Sequence, residues 1–474
     1  MSIYKLPDEL LIEIVKLAKT ADKSGLEATA DHSPYCGPEC PPSQTITSKR
    51  MLLFRNLTLV SKRMYSITTP LMYESFGIGK PISGWLFVRS LLENVTLKSF
   101  VRDIFVFLRD PADREKDEHS TFLQEEEAIR DYQEQVQMFY GRELFTKITS
   151  ESGCSVLAWL LALGPRLKCL ILEGFSTKQS DIIFDLLRLL PSWGSPAGPV
   201  QAFLRLKDLS LTLTEKYRSH IHTVFLLPSL QSLYLGGDPF LCKANTVLPR
   251  EGISNITDFE IGGANICPIT LASFIKACKV LKSFSLAIKD YGDVEELAEI
   301  SRMLQMDYYR IIGDALSAHQ HSLRTLNISN GMLSGVGLFK GPRYGLGRLR
   351  QFTELKKIDA PLLSLVGWGI GGEPSLFEVL PSSLTSLTIG DLEVPLWQQN
   401  LIPYLLQLRK YNLWRVPHLR RIVNVSHQRI RKAEQLERPF RKLNIKWVNR
   451  ILFPPPHSIT DNDDISIGRV SDED

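Results

Sequence analysis

The 474-residue chain has no run of 18 or more apolar residues, so no membrane span is expected. It has no strong excess of either charge: a formal net charge of +4 is too small, for a chain of this size, to imply a polyanionic partner by itself. It is poor in cysteine. The seven lie at 36, 40, 154, 169, 242, 267 and 278, an odd and dispersed set that does not make a disulfide framework. Cys169 and Cys278 sit inside apolar segments and read as small buried hydrophobes. The start, MSIYKLPDEL, lacks the basic opening and apolar centre of a secretory leader. Together these features predict a reducing setting, the cytoplasm and/or nucleus.

Catalytic signatures are also missing. G-x-S-x-G, H-E-x-x-H, the P-loop signature and the EF-hand loop do not occur. The glycines from Gly367 to Gly372 have no strand–turn–helix setting for a phosphate loop and read as a plain connection. His32, Cys36 and Cys40 fall short of the four ligands that a structural zinc requires. The nine histidines pair with no obvious Cys or Ser nucleophile. The expectation is therefore a non-enzyme with no metal and no cofactor.

Two patterns are present. The first is N-terminal. In LPDELLIEIVKLA, residues 6–18, Leu6, Leu10, Ile14 and Leu17 recur at helical spacing. Pro7 followed by Asp8 and Glu9 suits a helix start, with φ fixed and negative charge at the positive end of the dipole. Residues 19–50, with Pro34, Pro38, Pro41 and Pro42, predict a loop insertion. Helical pattern resumes over 51–76, where Leu53, Leu57, Val60, Met64 and Ile67 predict one face and Pro70 the end of the helix. This unit carries more apolar surface than about 50 ordered residues hide.

The two segments resemble the F-box, in the style of fungal members of that family. Leu6, Pro7, Glu9 and Leu10 match its opening motif. Val60 and Ser61 match its central step, Tyr65 follows where a bulky residue is usual, and Leu71 and Tyr73 match its closing motif. The 19–50 loop is longer than the family norm, and Met64 stands where an aromatic is common. The resemblance covers about a sixth of the chain. It implies a helical module that binds the Skp-type adaptor, and through it a cullin, of a Skp–cullin–F-box ubiquitin ligase. The adaptor surface would then comprise Leu6, Pro7, Leu10, Ile14, Leu57, Val60, Ser61, Met64, Tyr65, Leu71 and Tyr73. The plainer alternative is a helical hairpin packed on the rest of the protein.

The second pattern is a repeat. A frame of apolar-x-x-apolar-x-apolar starts at Leu167, Leu206, Leu230, Ile256, Leu281, Leu323, Leu355 and Leu384. Successive spacings are 39, 24, 26, 25, 42, 32 and 29 residues, and the longer ones hold helical patterns such as SDIIFDLLRLL after Ser180. VRDIFV at Val101 and FRKLNI at Phe440 fit the same frame. The fourth and sixth residues alternate to one face of a strand, and the first closes the core from the preceding turn. Each unit can bury its apolar side only against its neighbours, so units come in arrays. The expected fold is α/β: a helical N-terminal unit (1–76) and a linker, first repeat and helical cap (77–166). An irregular solenoid of parallel strands with helical crossovers (167–450) and a disordered acidic tail (451–474) complete it. It resembles the divergent leucine-rich repeats that often follow an F-box.

The third, fifth and seventh frame residues point away from that core. Asp208, Ser210, Tyr234, Asp258, Glu260, Asn327 and Asp359 are the candidates there for contacting a substrate protein through a basic or polar segment. A merely solvated sheet is the plain alternative. Residues 409–450 hold thirteen Lys or Arg against Glu434 and Glu437, spread among apolar residues as on a solvated face of terminal repeats, so a nucleic-acid partner is not expected. A leucine-rich-repeat scaffold whose F-box acts outside a ligase is the second functional expectation.

Overall fold

Parallel strands cannot be joined by tight turns, so each needs a crossover that returns the chain to the same edge. In this computed structural model the frame residues do form such strands. The residues described are 6–17, 44–78, 81–107, 160–173 without 162 and 165, 203–213, 221–237, 247–262, 266–288, 308–330, 345–367 without 348, 376–390, 415–426 and 440–451. Outside them lie the expected loop over 19–43, the helical run within 108–159, SDIIFDLLRLL, the zinc candidates His32, Cys36 and Cys40, and the tail beyond 451.

The fold is α/β and solenoid-like. Twelve parallel strands make one sheet in strict sequence order, β1 to β12. They are β1 (Ser75–Ile78), β2 (Asp103–Phe107), β3 (Cys169–Glu173), β4 (Asp208–Leu213), β5 (Ser232–Gly237) and β6 (Asp258–Gly262). There follow β7 (Ser283–Ile288), β8 (Thr325–Asn330), β9 (Lys357–Pro361), β10 (Ser386–Gly390), β11 (Arg421–Ser426) and β12 (Lys446–Ile451). The sheet thus starts at Ser75, well before Leu167. Two units were hidden in the sequence: Tyr73–Phe76 leads into β1, and Leu419 with Ile422 leads into β11, with Asn424 where the frame wants an apolar residue.

The frame at Val101 lies on β2, but the one at Phe440 does not lie on a strand. Phe440 begins a helical turn and the strand starts only at Lys446. Asn444, in the left-handed region at φ 59°, makes the turn between them.

The first, fourth and sixth frame residues are buried together, as period 2 requires. Leu281, Phe284 and Leu286 are all fully inaccessible, and so are Leu323, Leu326 and Ile328. Phe259 and Phe284 meet on adjacent strands at 6.0 Å, and Phe274 brings its ring to 5.0 Å from Phe225. Phe274 belongs to the crossover helix α6 (Pro268–Ala277), which packs on α7 (Tyr308–Leu316); helices α1–α5 precede these and are described below. Gly313 of α7 lets the backbone of Leu346 approach so closely that an added Cβ would lie 1.8 Å from its carbonyl oxygen.

The units are also stitched by hydrogen bonds. At the residue before each of β2 to β11 the N–H donates to the carbonyl of the residue before the preceding strand, from Arg102 donating to Glu74, through Lys168, Lys207, Gln231, Thr257, Lys282, Arg324, Lys356 and Thr385, to Arg420, and Lys446, the first residue of β12, donates to Arg420. Each of these bonds is 2.7–2.9 Å long. Serines just ahead of the frame tie back as well: Ser322 Oγ donates to Leu281 O at 2.8 Å and Ser383 Oγ to Leu355 O at 2.9 Å. His319 Nδ1 accepts from Leu281 N at 3.4 Å and its Nε2 lies 2.9 Å from Ile275 O, so the buried imidazole joins successive units as a neutral ring with its proton on Nε2. Burial lowers the His319 pKa, although the bond to Ile275 opposes the shift.

Cys267, at the cap of α6, is disulfide-bonded, which a dispersed cysteine set does not lead one to expect. Cys169 and Cys278 are free, and burial pushes the Cys278 thiol up to about 12. Among the described residues no helix is long and apolar enough to cross a membrane.

Candidate functional site

The N-terminal unit comprises α1 (residues 8–17), α2 (Gln44–Val60) and α3 (Lys62–Glu74). Two expectations need correction. Residues 44–50, expected as loop, are the first turns of α2. Pro70 does not end a helix; α3 runs through it to Glu74. The break falls at Ser61, whose extended backbone and side chain, accepting from Met64 N at 3.1 Å, cap α3. Ser61 competes with the helix by offering its hydroxyl to the backbone, which is why the chain turns there.

The buried stripe of α1 also differs from expectation. Leu11 and Val15 face inward and form a small core with Phe54, Met64 and Ile67, with Leu6, Leu57 and Leu71 packed against it. Leu10, Ile14 and Leu17 are 51%, 44% and 65% exposed. The spacing was helical, but a one-residue rotation decides which apolar stripe meets the partner helices, and LPDELLIEIVKLA carries two. Arg63 holds the start of α1: its Nε donates to Asp8 Oδ1 at 2.6 Å and its Nη2 to Leu6 O. Both side chains of that ion pair are more than a third exposed, so it orients more than it stabilises.

The eleven candidate adaptor residues therefore divide. Pro7, Leu10, Ile14, Val60 and Tyr65 are exposed, with Val60 at 49% and Tyr65 at 55%. Met64 is buried, and Leu6, Leu57 and Leu71 are half-buried against the same small core. Ser61 is a cap. Tyr73 packs on the sheet's core, stacked 5.5 Å from Phe87 of α4 (Pro81–Glu93), ahead of the short α5 (Val95–Lys98); in the repeat frame it is the first residue of the β1 unit. Sequence reasoning missed Leu52, Leu53 and Leu59 as surface: all three are exposed on α2, and the periodic fit to one long helix hid them.

The sheet candidates are brought onto one face in two rows. The row at the third frame position pairs Asp103, Cys169, Asp208, Ser232, Asp258, Ser283, Thr325 and Lys357 across neighbouring strands. The fifth-position row pairs Ser210, Tyr234, Glu260, Ser285, Asn327 and Asp359. So Asp208, Ser210, Tyr234, Asp258 and Glu260 form one group on β4–β6. Asn327 and Asp359 form a second on β8–β9, with the serines of β7 between them.

Partial burial raises the Asp208 pKa, and the nearby carboxylates of Asp103 and Asp258 add to this while Lys207 opposes it. Glu260 is accessible to water but flanked by protein on the sheet face, and that desolvation raises its pKa. Tyr234 lies over Gly236 and Gly262, where a Cβ would come within 2.8 Å of its ring or 2.4 Å of its hydroxyl. Two glycines in the seventh-position row thus make the space that fixes the ring. Among the described residues no group of His, Cys, Asp and Glu could hold a metal ion. No protein-family model matches the sequence, and neither does any curated protein.

Proposed function

We propose that this chain is the substrate-recognition subunit of a Skp–cullin–F-box ubiquitin ligase, with an F-box at its N-terminus and divergent leucine-rich repeats behind it. The observation that carries the reading is the apolar surface of α1–α3. Leu10, Ile14, Val60 and Tyr65 stand exposed around a core that, among the described residues, holds five buried apolar side chains. A unit that small, with that many apolar side chains exposed, supports an interface with a partner. The order of the two F-box-like motifs supports a Skp-type adaptor, and through it a cullin, as the partner.

The open face of the sheet is the surface for the substrate protein, centred on Tyr234 with Asp208, Asp258 and Glu260. The chain contributes no reacting side chain. It raises the effective concentration of substrate beside the ubiquitin-loaded enzyme. The cytoplasm and/or nucleus is the setting this reading requires. The disulfide at Cys267 fits a strictly reducing compartment poorly, so thiol titration of the native protein is a direct check on that part.

The second reading, a scaffold whose F-box works outside a ligase, shares the adaptor but not the cullin. Purification of the tagged chain from its cells separates them. Stoichiometric Skp-type adaptor together with cullin supports the ligase; adaptor without cullin supports the scaffold; neither partner overturns both.

A further inference from the structure

The net charge of the chain is small, but its charge is not evenly placed on the sheet. Acids of the third-position row cluster on β2, β4 and β6 as Asp103, Asp208 and Asp258. The residue before each strand is cationic towards both ends of the sheet, with Arg102, Lys168 and Lys207 beside those acids, but from β7 onward the third-position row holds no acid: it reads Ser283, Thr325, Lys357, Ser386 and Arg421. Lys282, Arg324, Lys356 and Arg420 are stacked one strand apart, or two across Thr385, by the continuous line of backbone bonds at the strand starts. Lys357 and Arg421 stand beside them in the third-position row. All six are exposed, and among the described residues none is ion-paired. Asp359, half-buried in the next row, is the one carboxylate on this part of the face among the described residues.

We infer that this strand-start edge over β7–β11 is a docking surface for an extended acidic segment of a partner polypeptide. The inference does not rest on the adaptor reading. Like charges held side by side by backbone pairing repel one another, and a polyanion laid across them relieves that repulsion. The spacing is about 4.8 Å per strand, so the four intervals from β7 to β11 span about 19 Å, the length of about six extended residues. Chemistry favours a polypeptide over a nucleic acid. The outward rows of β7–β11 offer serine, threonine, asparagine, glycine and aliphatic residues but no aromatic ring on which a base would stack. The acids on β2–β6 confine a polyanion to the later strands.

Fluorescence anisotropy of the full chain with a labelled twelve-residue peptide alternating Glu and Ser tests this. Saturable binding that weakens with salt is expected. R324E/K356E/R420E should weaken it about tenfold or more, while K168E/K207E, at the acidic end of the same edge, leaves it within about twofold. If the first triple variant melts early, R324Q/K356Q/R420Q takes its place with the same expectation in direction. Unsaturable binding, equal losses from both ends of the sheet, or tighter binding of a twelve-nucleotide oligouridylate than of the peptide would each overturn the proposal.

Discussion

The helical unit and the sheet use the same apolar residues to opposite ends. In the sheet, leucine and phenylalanine vanish from solvent row after row, because each of the ten inner strands has a neighbour on both sides. In the helical unit the buried apolar side chains among the described residues are Leu11, Val15, Phe54, Met64 and Ile67, while eight large apolar side chains between Leu10 and Tyr65 are exposed. An array can close its core on itself. A three-helix unit of this size cannot, and what it leaves open is, on the proposed reading, surface for another protein.

That contrast can be broken from either side. The largest effect is expected in the array: Phe284→Ala removes a fully buried ring between two strands and should cost about 3–5 kcal/mol in urea unfolding. In the helical unit, Ser61→Ala removes the cap of α3 and should cost about 1 kcal/mol by the same measurement. If Ser61→Ala cost as much as Phe284→Ala, the two regions would not differ in the way argued.

A third handle is pH. His319 has a lowered folded pKa, so the unfolded chain takes up its proton first as pH falls. The stability that the neutral ring supplies is complete above the unfolded value of about 6.5 and is lost as pH falls from there towards the lower folded value. The melting temperature of the wild type should drop across that window, and His319→Gln should be less stable at pH 8 with a shallower drop. Asp208 and Glu260 act in the opposite sense: their raised folded pKa values favour protonation in the fold, so they offset part of the loss at lower pH. The smallest effect is local. Gly262→Ala should displace the Tyr234 ring and change its fluorescence or nuclear-resonance signature, with a stability change below that of Phe284→Ala.

How much was legible follows from where one residue decides. The strands were readable wherever the frame kept its three apolar positions, because period 2 and burial coincide there. β1 keeps apolar residues at all three positions, Tyr73, Phe76 and Ile78, but directly continues the helical pattern before it, and β11 loses its sixth position to Asn424 while backbone pairing with its neighbours still holds the strand. In α1 the helix was readable but its inward stripe was not. Leu10 and Leu11 are adjacent leucines, and only the packing of Phe54 and Met64 chooses between them. Four of the six cations of the strand-start edge lie at the second frame position, just before each strand, where the period-2 alternation that separates core from outward residues has not yet begun. The serines at 322 and 383 carry a signal that could have been read: each directly precedes a frame leucine.

The most direct test of the central claim is calorimetric titration of the chain carrying Leu10→Asp and Val60→Asp with a Skp-type adaptor. Both side chains are already in water, so the urea unfolding curve should match the wild type. Each is placed as an interface anchor that contributes about 2 kcal/mol or more, so binding should be lost. Retained binding with an unchanged unfolding curve would contradict the account, for it would show that the exposed face of the helical unit is not where the adaptor docks.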